Sequence, residues 1–119
     1  KNIADEILIP EVPFKYKLNR PLVMRALRRS NIRKKIVEYL FKINPSSSYT
    51  SEIAYSVKTT PTNVIGAIRG MHSRYRKEES LIELNIVEEC SENNNIKLYR
   101  LTNFGLEIIK NINKDITQD

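Results

Sequence analysis

The sequence predicts a mainly α-helical domain that carries a small β hairpin. Apolar residues recur at helical spacing along most of the chain, and Pro, Ser and Thr mark where the helices begin. Near the end, a strand expected to finish near Cys90 and a second strand with period-2 alternation over residues 96–101 flank an asparagine-rich turn at residues 91–95, as in a hairpin. The expected order is helix, helix, short helix, helix, hairpin, helix, which is a winged helix-turn-helix.

The central pair of helices lies in residues 49–71. Ile53, Ala54 and Val57 give residues 51–57 the pattern of a short helix on a core, and two residues separate it from Thr60. Thr60 is expected to cap the next helix, with Pro61 at its first position. That helix, about residues 61–73, has an apolar side formed by Val64, Ala67, Ile68 and Met71. The opposite side is formed by Thr62, Gly66, Arg69 and Ser73, flanked by Asn63 and Gly70.

A small, polar and singly basic helix side suits the major groove of DNA, where glycines permit close backbone approach. Thr62, Asn63 and Arg69 are the predicted base contacts. Thr60 and Gly66 complete the DNA-binding set that we expect on this recognition helix. Any small helical domain with two such helices would show a similar amphipathic pattern, and that alternative stays open.

The flanking segments are predicted as follows. Residues 1–20 form an extended N-terminal arm, because two prolines interrupt any regular element. Residues 21–119 form the winged helix-turn-helix domain. In it Pro21 opens a helix through Arg29, Ser30 caps a helix over residues 31–43, and Thr102 caps the last helix.

The charge distribution indicates an anionic partner. The chain has 20 Lys and Arg against 14 Asp and Glu, a net charge of +6 and a pI of about 9.5. Nine cations lie between Glu11 and Glu38 with no acid among them. Such a run is often a solvated face, but it favours phosphate contact when no acids compensate it. The predicted phosphate contacts are Arg28, Arg33, Arg74 and Arg76.

The residues of catalytic and metal chemistry are sparse. One histidine and one cysteine cannot build a Cys/His metal site, and Cys90 fits a small core residue better than a sensor. We therefore expect no enzyme activity, no cofactor and no metal. No apolar run reaches the ~18 residues of a membrane span, and a single cysteine fits a reducing compartment, so we expect a cytoplasmic protein without a membrane partner.

The runs TSEIA…TTPTNVIGAIRGM, LNIVEE and KLYRLTNFG resemble archaeal winged helix-turn-helix transcriptional regulators of the ArsR/MarR-like type, over about residues 22–112. Residues 72–84 resemble one archaeal branch, which includes the euryarchaeal archaellum regulator. The resemblance implies sequence-specific binding of double-stranded DNA through residues 60–70 by a homodimer. The predicted hairpin is unlike a phosphate-binding hairpin in one respect, because it carries three acidic residues, Glu88, Glu89 and Glu92.

Two functions therefore stand side by side. The first is a DNA-binding transcriptional regulator, which would also contact the transcription machinery. The alternative is a winged-helix protein–protein interaction module in a transcription or replication assembly, with Ile65 and the glycine face receiving an apolar partner.

The last helix is the predicted dimer contact. Leu106, Ile109 and Ile112 or Asn113 lie along one stripe, and Phe104 and Ile108 lie along the next. The competing interpretation is that the N-terminal arm, with Phe14 and Tyr16, covers this surface within one subunit.

Overall fold

The computed structural model describes residues 14–71, 75–93 and 96–117. Five α-helices and three short strands make up this part of the chain. In order they are α1 (Phe14–Arg29), α2 (Asn31–Ile43), β1 (Ser48–Tyr49), α3 (Thr50–Val57), α4 (Pro61–Arg69), β2 (Val87–Asn93), β3 (Ile96–Leu101) and α5 (Asn103–Thr117). A single 3-10 turn, Lys77–Glu79, follows α4. None of the helices described has the length and apolar character needed to cross a bilayer.

The sheet is antiparallel, with β3 between β1 and β2. The hairpin β2–β3, which we call the wing, pairs Val87 with Leu101 and Glu89 with Tyr99. On its other side β3 pairs Tyr99 with Ser48. The sequence did not predict β1, because a two-residue strand has no alternation to detect. The predicted fold class, mainly α with a small hairpin in a winged helix-turn-helix, is confirmed.

Three predicted helix caps are confirmed. Caps can be predicted from the sequence because they depend on residues close together in the chain. The side-chain oxygens of Ser30, Thr60 and Thr102 accept hydrogen bonds from backbone N–H groups three residues later, at 3.1, 3.1 and 2.8 Å. The helices enclose one core with the inner face of the sheet. Its largest fully buried side chains include Tyr99, Ile36, Leu40, Ile53, Ile68, Leu81, Ile86 and Ile108.

The predicted start of the first helix is wrong. Residues 14–20 are helical, so Pro21 lies inside α1 and does not open it. A proline at that position removes one hydrogen bond to the preceding turn, and the packing of Val23, Ala26 and Leu27 in the core compensates for this loss. Residues 1–13 of the expected extended arm, and the side chains of Phe14 and Tyr16, lie outside the described part.

The last helix forms where it was predicted, but its isoleucines are more buried than expected. Ile109 is 5% exposed and Ile108 is 1% exposed, so both belong to the core of their own chain. Ile109 and Ile112 line a groove of about 200 Å³ with Met24, Leu27 and Val37 of α1 and α2. The expectation that Ile109 lies in a dimer contact is therefore wrong, since α1 and α2 already cover it.

We expect Gly105→Ala to destabilise the fold by about 1–3 kcal/mol, because a Cβ at this position would lie 2.3 Å from the Ile86 carbonyl oxygen. That oxygen already accepts the Thr102 N–H at 3.0 Å, so the backbone cannot easily retreat. Chemical denaturation measures the loss. Asn103→Ala is the matched control, because Asn103 lies in the same turn and its side chain is exposed. It should change the unfolding free energy much less. Equal effects of the two substitutions would contradict this account.

Candidate nucleic-acid interface

The predicted recognition helix, α4, is shorter than expected. It begins at Pro61 as expected but ends at Arg69, and Gly70 follows with a φ of +90° that favours glycine. Met71 then exchanges two backbone hydrogen bonds with Tyr75, at 2.7 and 3.1 Å. Tyr75 is therefore brought back beside α4. It covers the side of the helix that contains Gly66, which the sequence pattern predicted to be exposed.

One edge of α4 faces solvent. Thr62, Ile65 and Arg69 are exposed and lie at helical spacings of three and four residues, which places them on one line. Val64, Ala67 and Ile68 are completely buried, as the apolar pattern predicted. Ile65 is 38% exposed, so an aliphatic side chain stands between a hydroxyl and a guanidinium on this edge.

Gly66 and Asn63 do not belong to that open edge, contrary to the prediction. Gly66 is buried, and a Cβ built on it would lie 2.5 Å from the Tyr75 ring. Asn63 donates to the Thr59 hydroxyl at 2.9 Å and accepts from the Tyr75 hydroxyl at 3.4 Å. Both residues therefore fix Tyr75 and the preceding turn, and neither is free in this arrangement to meet a base.

Arg33 was predicted to contact phosphate, but the structure places it in the interior. It is only 3% exposed, and its guanidinium lies 5.8 Å from the centre of the Tyr75 ring. It donates to the Ala26 carbonyl at 3.4 Å and lies 3.6 Å from the Glu79 carboxylate. Burial lowers its pKa, and the Glu79 charge opposes that shift. Because Arg33 is buried and paired inside the domain, it is not an exposed cation for the DNA backbone, and this prediction is corrected.

Arg69 is exposed as predicted, and the wing holds it. Its Nη1 donates to Glu89 Oε1 at 2.6 Å and to the Tyr99 hydroxyl at 3.4 Å. The hydrogen bond to Glu89 raises the pKa of Arg69 above its ordinary value, and the hydrogen bond to Tyr99 adds to this effect. Both contacts use Nη1, so within the described part of the structure Nε and Nη2 remain for a ligand.

The other predicted contacts occupy different places. Thr62 is exposed on α4, and the hydroxyl of Thr60 is used as the helix cap. Arg28 is exposed beside Ile109 and Ile112, in the groove against α5. Arg76 is exposed near the buried Arg33. Arg74 lies outside the described residues.

Two exposed features near α4 were not singled out from the sequence. Lys58 lies in the turn between α3 and α4, with a φ of +61°, and lines a shallow groove with Lys35 and Lys42. Glu38 is the one acid among the residues lining that groove, so the surface is cationic. Tyr55, on α3, is 87% exposed. The missed signal was spatial, because Lys35, Lys42 and Lys58 come together only when α2 packs on α3.

The residues that the structure describes include no group of His, Cys, Asp and Glu arranged to hold a metal ion. Cys90 is half-buried on β2, where it pairs with Leu98 of β3.

Comparisons with known proteins agree with this architecture. The EarA-like family model matches residues 23–112. An uncharacterized protein of Methanocaldococcus jannaschii is 43% identical over 90 residues, which are 76% of this chain and 80% of that protein. In fold the chain is similar to MepR, a transcription regulator of the Staphylococcus aureus multidrug efflux pump MepA. The TM-score is 0.60 with 11% identity, over 87% of this chain and 70% of MepR.

A mutant of MepR from a multidrug-resistant S. aureus clinical isolate gives a TM-score of 0.53 and 14% identity, over 85% of this chain and 74% of that one. These likenesses establish a winged-helix fold shared with a transcription regulator. The ArsR/MarR-like affiliation suggested by the sequence stays a prediction.

Gly66→Ala should destabilise the fold by about 1–3 kcal/mol, because its methyl group would displace the Tyr75 ring. Replacing an interior helix glycine with alanine otherwise stabilises a helix by about 0.5–1 kcal/mol. In a Tyr75→Ala background we therefore expect the same substitution to become neutral or stabilising. A double-mutant cycle of unfolding free energies measures this coupling. Additive effects would show that Tyr75 does not exclude a side chain at position 66.

Proposed function

The chain belongs to the EarA-like family, and from that premise we propose that it is a transcriptional regulator that binds double-stranded DNA with sequence specificity. The observation that carries the proposal is the solvent-facing edge of α4, formed by Thr62, Ile65 and Arg69. It lies on the recognition helix of a winged-helix fold, the fold that the chain shares with a transcription regulator. The remaining steps concern which groups read bases and which hold phosphates.

The edge of α4 carries the groups that base edges in the major groove require. A threonine hydroxyl bonds to either a donor or an acceptor, aliphatic groups contact the thymine methyl, and a guanidinium suits guanine O6 and N7. Glu89 and Tyr99 hold Arg69 by Nη1, which reduces the side-chain entropy that it loses on binding. Base reading therefore belongs to Thr62, Ile65 and Arg69.

The phosphate contacts belong to exposed lysines more than to the buried arginine. Lys58 lies in the turn that leads into α4, and Lys35 and Lys42 line the same cationic groove. Such contacts orient a protein on the duplex without reading sequence. The wing adds little positive charge, because its Glu88 and Glu89 pair with Arg100 and Arg69 at 2.7 and 2.6 Å. Arg28 remains a proposed phosphate contact, whereas Arg76 lines a separate groove at the start of α2.

The proposed assembly is a homodimer. Two recognition helices about one turn of DNA apart, roughly 34 Å, double the number of base contacts. Selection of bound duplexes from a random pool tests the function and the assembly together. A palindromic consensus with half-sites spaced by about one turn supports the dimer, and a single unrepeated site contradicts it.

The second candidate, a protein–protein interaction module, is favoured by the exposed apolar side chains of Tyr55 and Ile65. Its expected glycine face is not available, because Tyr75 covers Gly66. A heparin column followed by a gel shift on random A/T-rich duplex separates the two candidates. Tight retention that weakens steeply with salt supports DNA binding. Weak retention and no shifted band would support the module.

Arg69→Ala should weaken binding to the selected site by ~1–3 kcal/mol and leave binding to scrambled duplex nearly unchanged. The reason is that a base contact carries sequence information and a phosphate contact does not. Fluorescence anisotropy on both duplexes measures the difference. Arg100→Ala is the matched control, since Arg100 is also paired with a wing glutamate but lies on β3. If Arg69→Ala weakened both kinds of binding equally, Arg69 would be a phosphate contact.

Lys58→Gln should lower affinity for every duplex and flatten the slope of log K against log[salt] by roughly one. The cause is the loss of one counterion-releasing phosphate contact next to the start of α4. Lys110→Gln removes the same charge from an exposed position on α5 and should leave the slope unchanged. Identical slopes for wild type and Lys58→Gln would remove Lys58 from the interface.

A further inference from the structure

A second cationic surface lies where α1 joins α2, apart from the exposed edge of α4. It is a groove of about 450 Å³, within the size range of pockets that hold small molecules. Three arginines and one glutamate supply its charged groups. The residues lining the groove are Arg29, Ser30, Asn31, Ile32, Arg33, Tyr75, Arg76 and Glu79.

The groove is short of negative charge. Glu79 Oε2 accepts from Arg29 at 2.9 Å, whereas Glu79 Oε1 is 3.6 Å from Arg33, which is too long for a hydrogen bond. One carboxylate therefore serves two arginines and satisfies only one of them well. The Arg33 Nε is buried and has no hydrogen-bond partner among the described residues. Leaving a buried charged donor unsatisfied destabilises the protein unless a ligand completes it.

The first turn of α2 adds donors to the same groove. Asn31 and Ile32 open the helix, and helix geometry leaves their N–H groups without intrahelical partners. Both residues line the groove, at the positive end of a 13-residue helix. Arg76, an exposed residue, lines the same groove. Backbone donors at a helix start and guanidinium groups along the same groove match a carboxylate or phosphate group.

We propose that this groove binds a small molecule bearing a carboxylate or phosphate group. The anionic group would accept hydrogen bonds from the backbone N–H groups of Asn31 and Ile32. It would also pair with Arg76 and with Arg29 and Arg33, the two arginines that share Glu79. The anion would compete with Glu79 for Arg29 and Arg33, so the glutamate acts as an internal occupant that a ligand displaces. Binding of the anion does not depend on the proposed function. Its effect on DNA binding does rest on that function.

Tyr75 connects the groove to α4. Its ring lies under the Arg33 guanidinium and also against Gly66 of α4. Its hydroxyl donates to Asn63 Oδ1 at 3.4 Å, near the start of α4. A ligand that draws Arg33 away from Glu79 therefore acts on the ring that sets the position of the recognition helix, and DNA affinity should change when the groove is filled.

Inorganic phosphate is the probe for the site, titrated at constant ionic strength without DNA while amide resonances are followed by NMR. We expect saturable shifts at Asn31, Ile32 and Arg76. Arg76→Gln should weaken phosphate binding about tenfold, because it removes a charged donor. Arg25→Gln, an exposed cation outside the groove, is the matched control and should bind as wild type does.

Glu79→Gln separates a binding site from a merely structural ion pair. If Glu79 competes with the ligand, this variant binds phosphate more tightly than wild type, by several-fold. If Glu79 only supports the fold, the variant loses stability, seen by circular dichroism, and gains no affinity, which overturns the proposal. Absence of saturable shifts in both wild type and Glu79→Gln also overturns it.

A backbone phosphate of DNA is the other source of the same chemistry. If free phosphate does not bind but Arg76→Gln flattens the salt slope of DNA binding by about one, the groove takes a DNA phosphate and the small-molecule assignment fails. If phosphate binds and DNA affinity changes with saturation of the groove, the coupling is supported. If phosphate binds to a protein that binds no DNA, the site stands and the proposed function fails.

Discussion

The contact between Tyr75 and Gly66 is the constraint on which the arrangement of this surface depends. The ring occupies the space that any side chain at position 66 would need, so α4 can approach it only through a glycine. The same ring supports the buried Arg33 guanidinium and bonds to Asn63. One aromatic side chain therefore joins α2, α4 and the segment after α4. The orientation of α4 is consequently set by the interior of the domain and not by α4 alone.

This constraint divides the cations into two groups with different tasks. Arg33 is buried between Tyr75 and Glu79, and Arg29, which stays exposed, pairs with the same carboxylate at 2.9 Å. Lys35, Lys42 and Lys58 remain exposed around a single glutamate. A long run of cations in the sequence is therefore not one binding surface. Arg29 and Arg33 pair with Glu79 at the junction of α1 and α2, whereas the three lysines remain on the surface.

The features predicted correctly from the sequence depend on neighbours within a few residues. The caps at Ser30, Thr60 and Thr102 are of this kind, as is the buried side of α4. The errors concern residues whose surroundings come from distant parts of the chain. Gly66 and Arg33 are covered by Tyr75 and Glu79, and the turn at Gly70 that brings these residues back carries no helical or strand period. Pro21 was mistaken for a helix start because proline prefers that position, although here packing of later residues outweighs the lost hydrogen bond.

Ile65 bears most directly on the choice between DNA and a protein partner. A large aliphatic side chain exposed on a recognition helix suits either a thymine methyl group or an apolar pocket of another protein. Its neighbours on the edge are Thr62 and Arg69, and Arg69 is already tied to Glu89 at 2.6 Å. An apolar protein surface seated on Ile65 would have to bury that ion pair, with a desolvation penalty that the mutual attraction need not repay. A DNA groove keeps the pair partly hydrated and offers acceptors to the remaining guanidinium hydrogens. The composition of this edge therefore favours DNA.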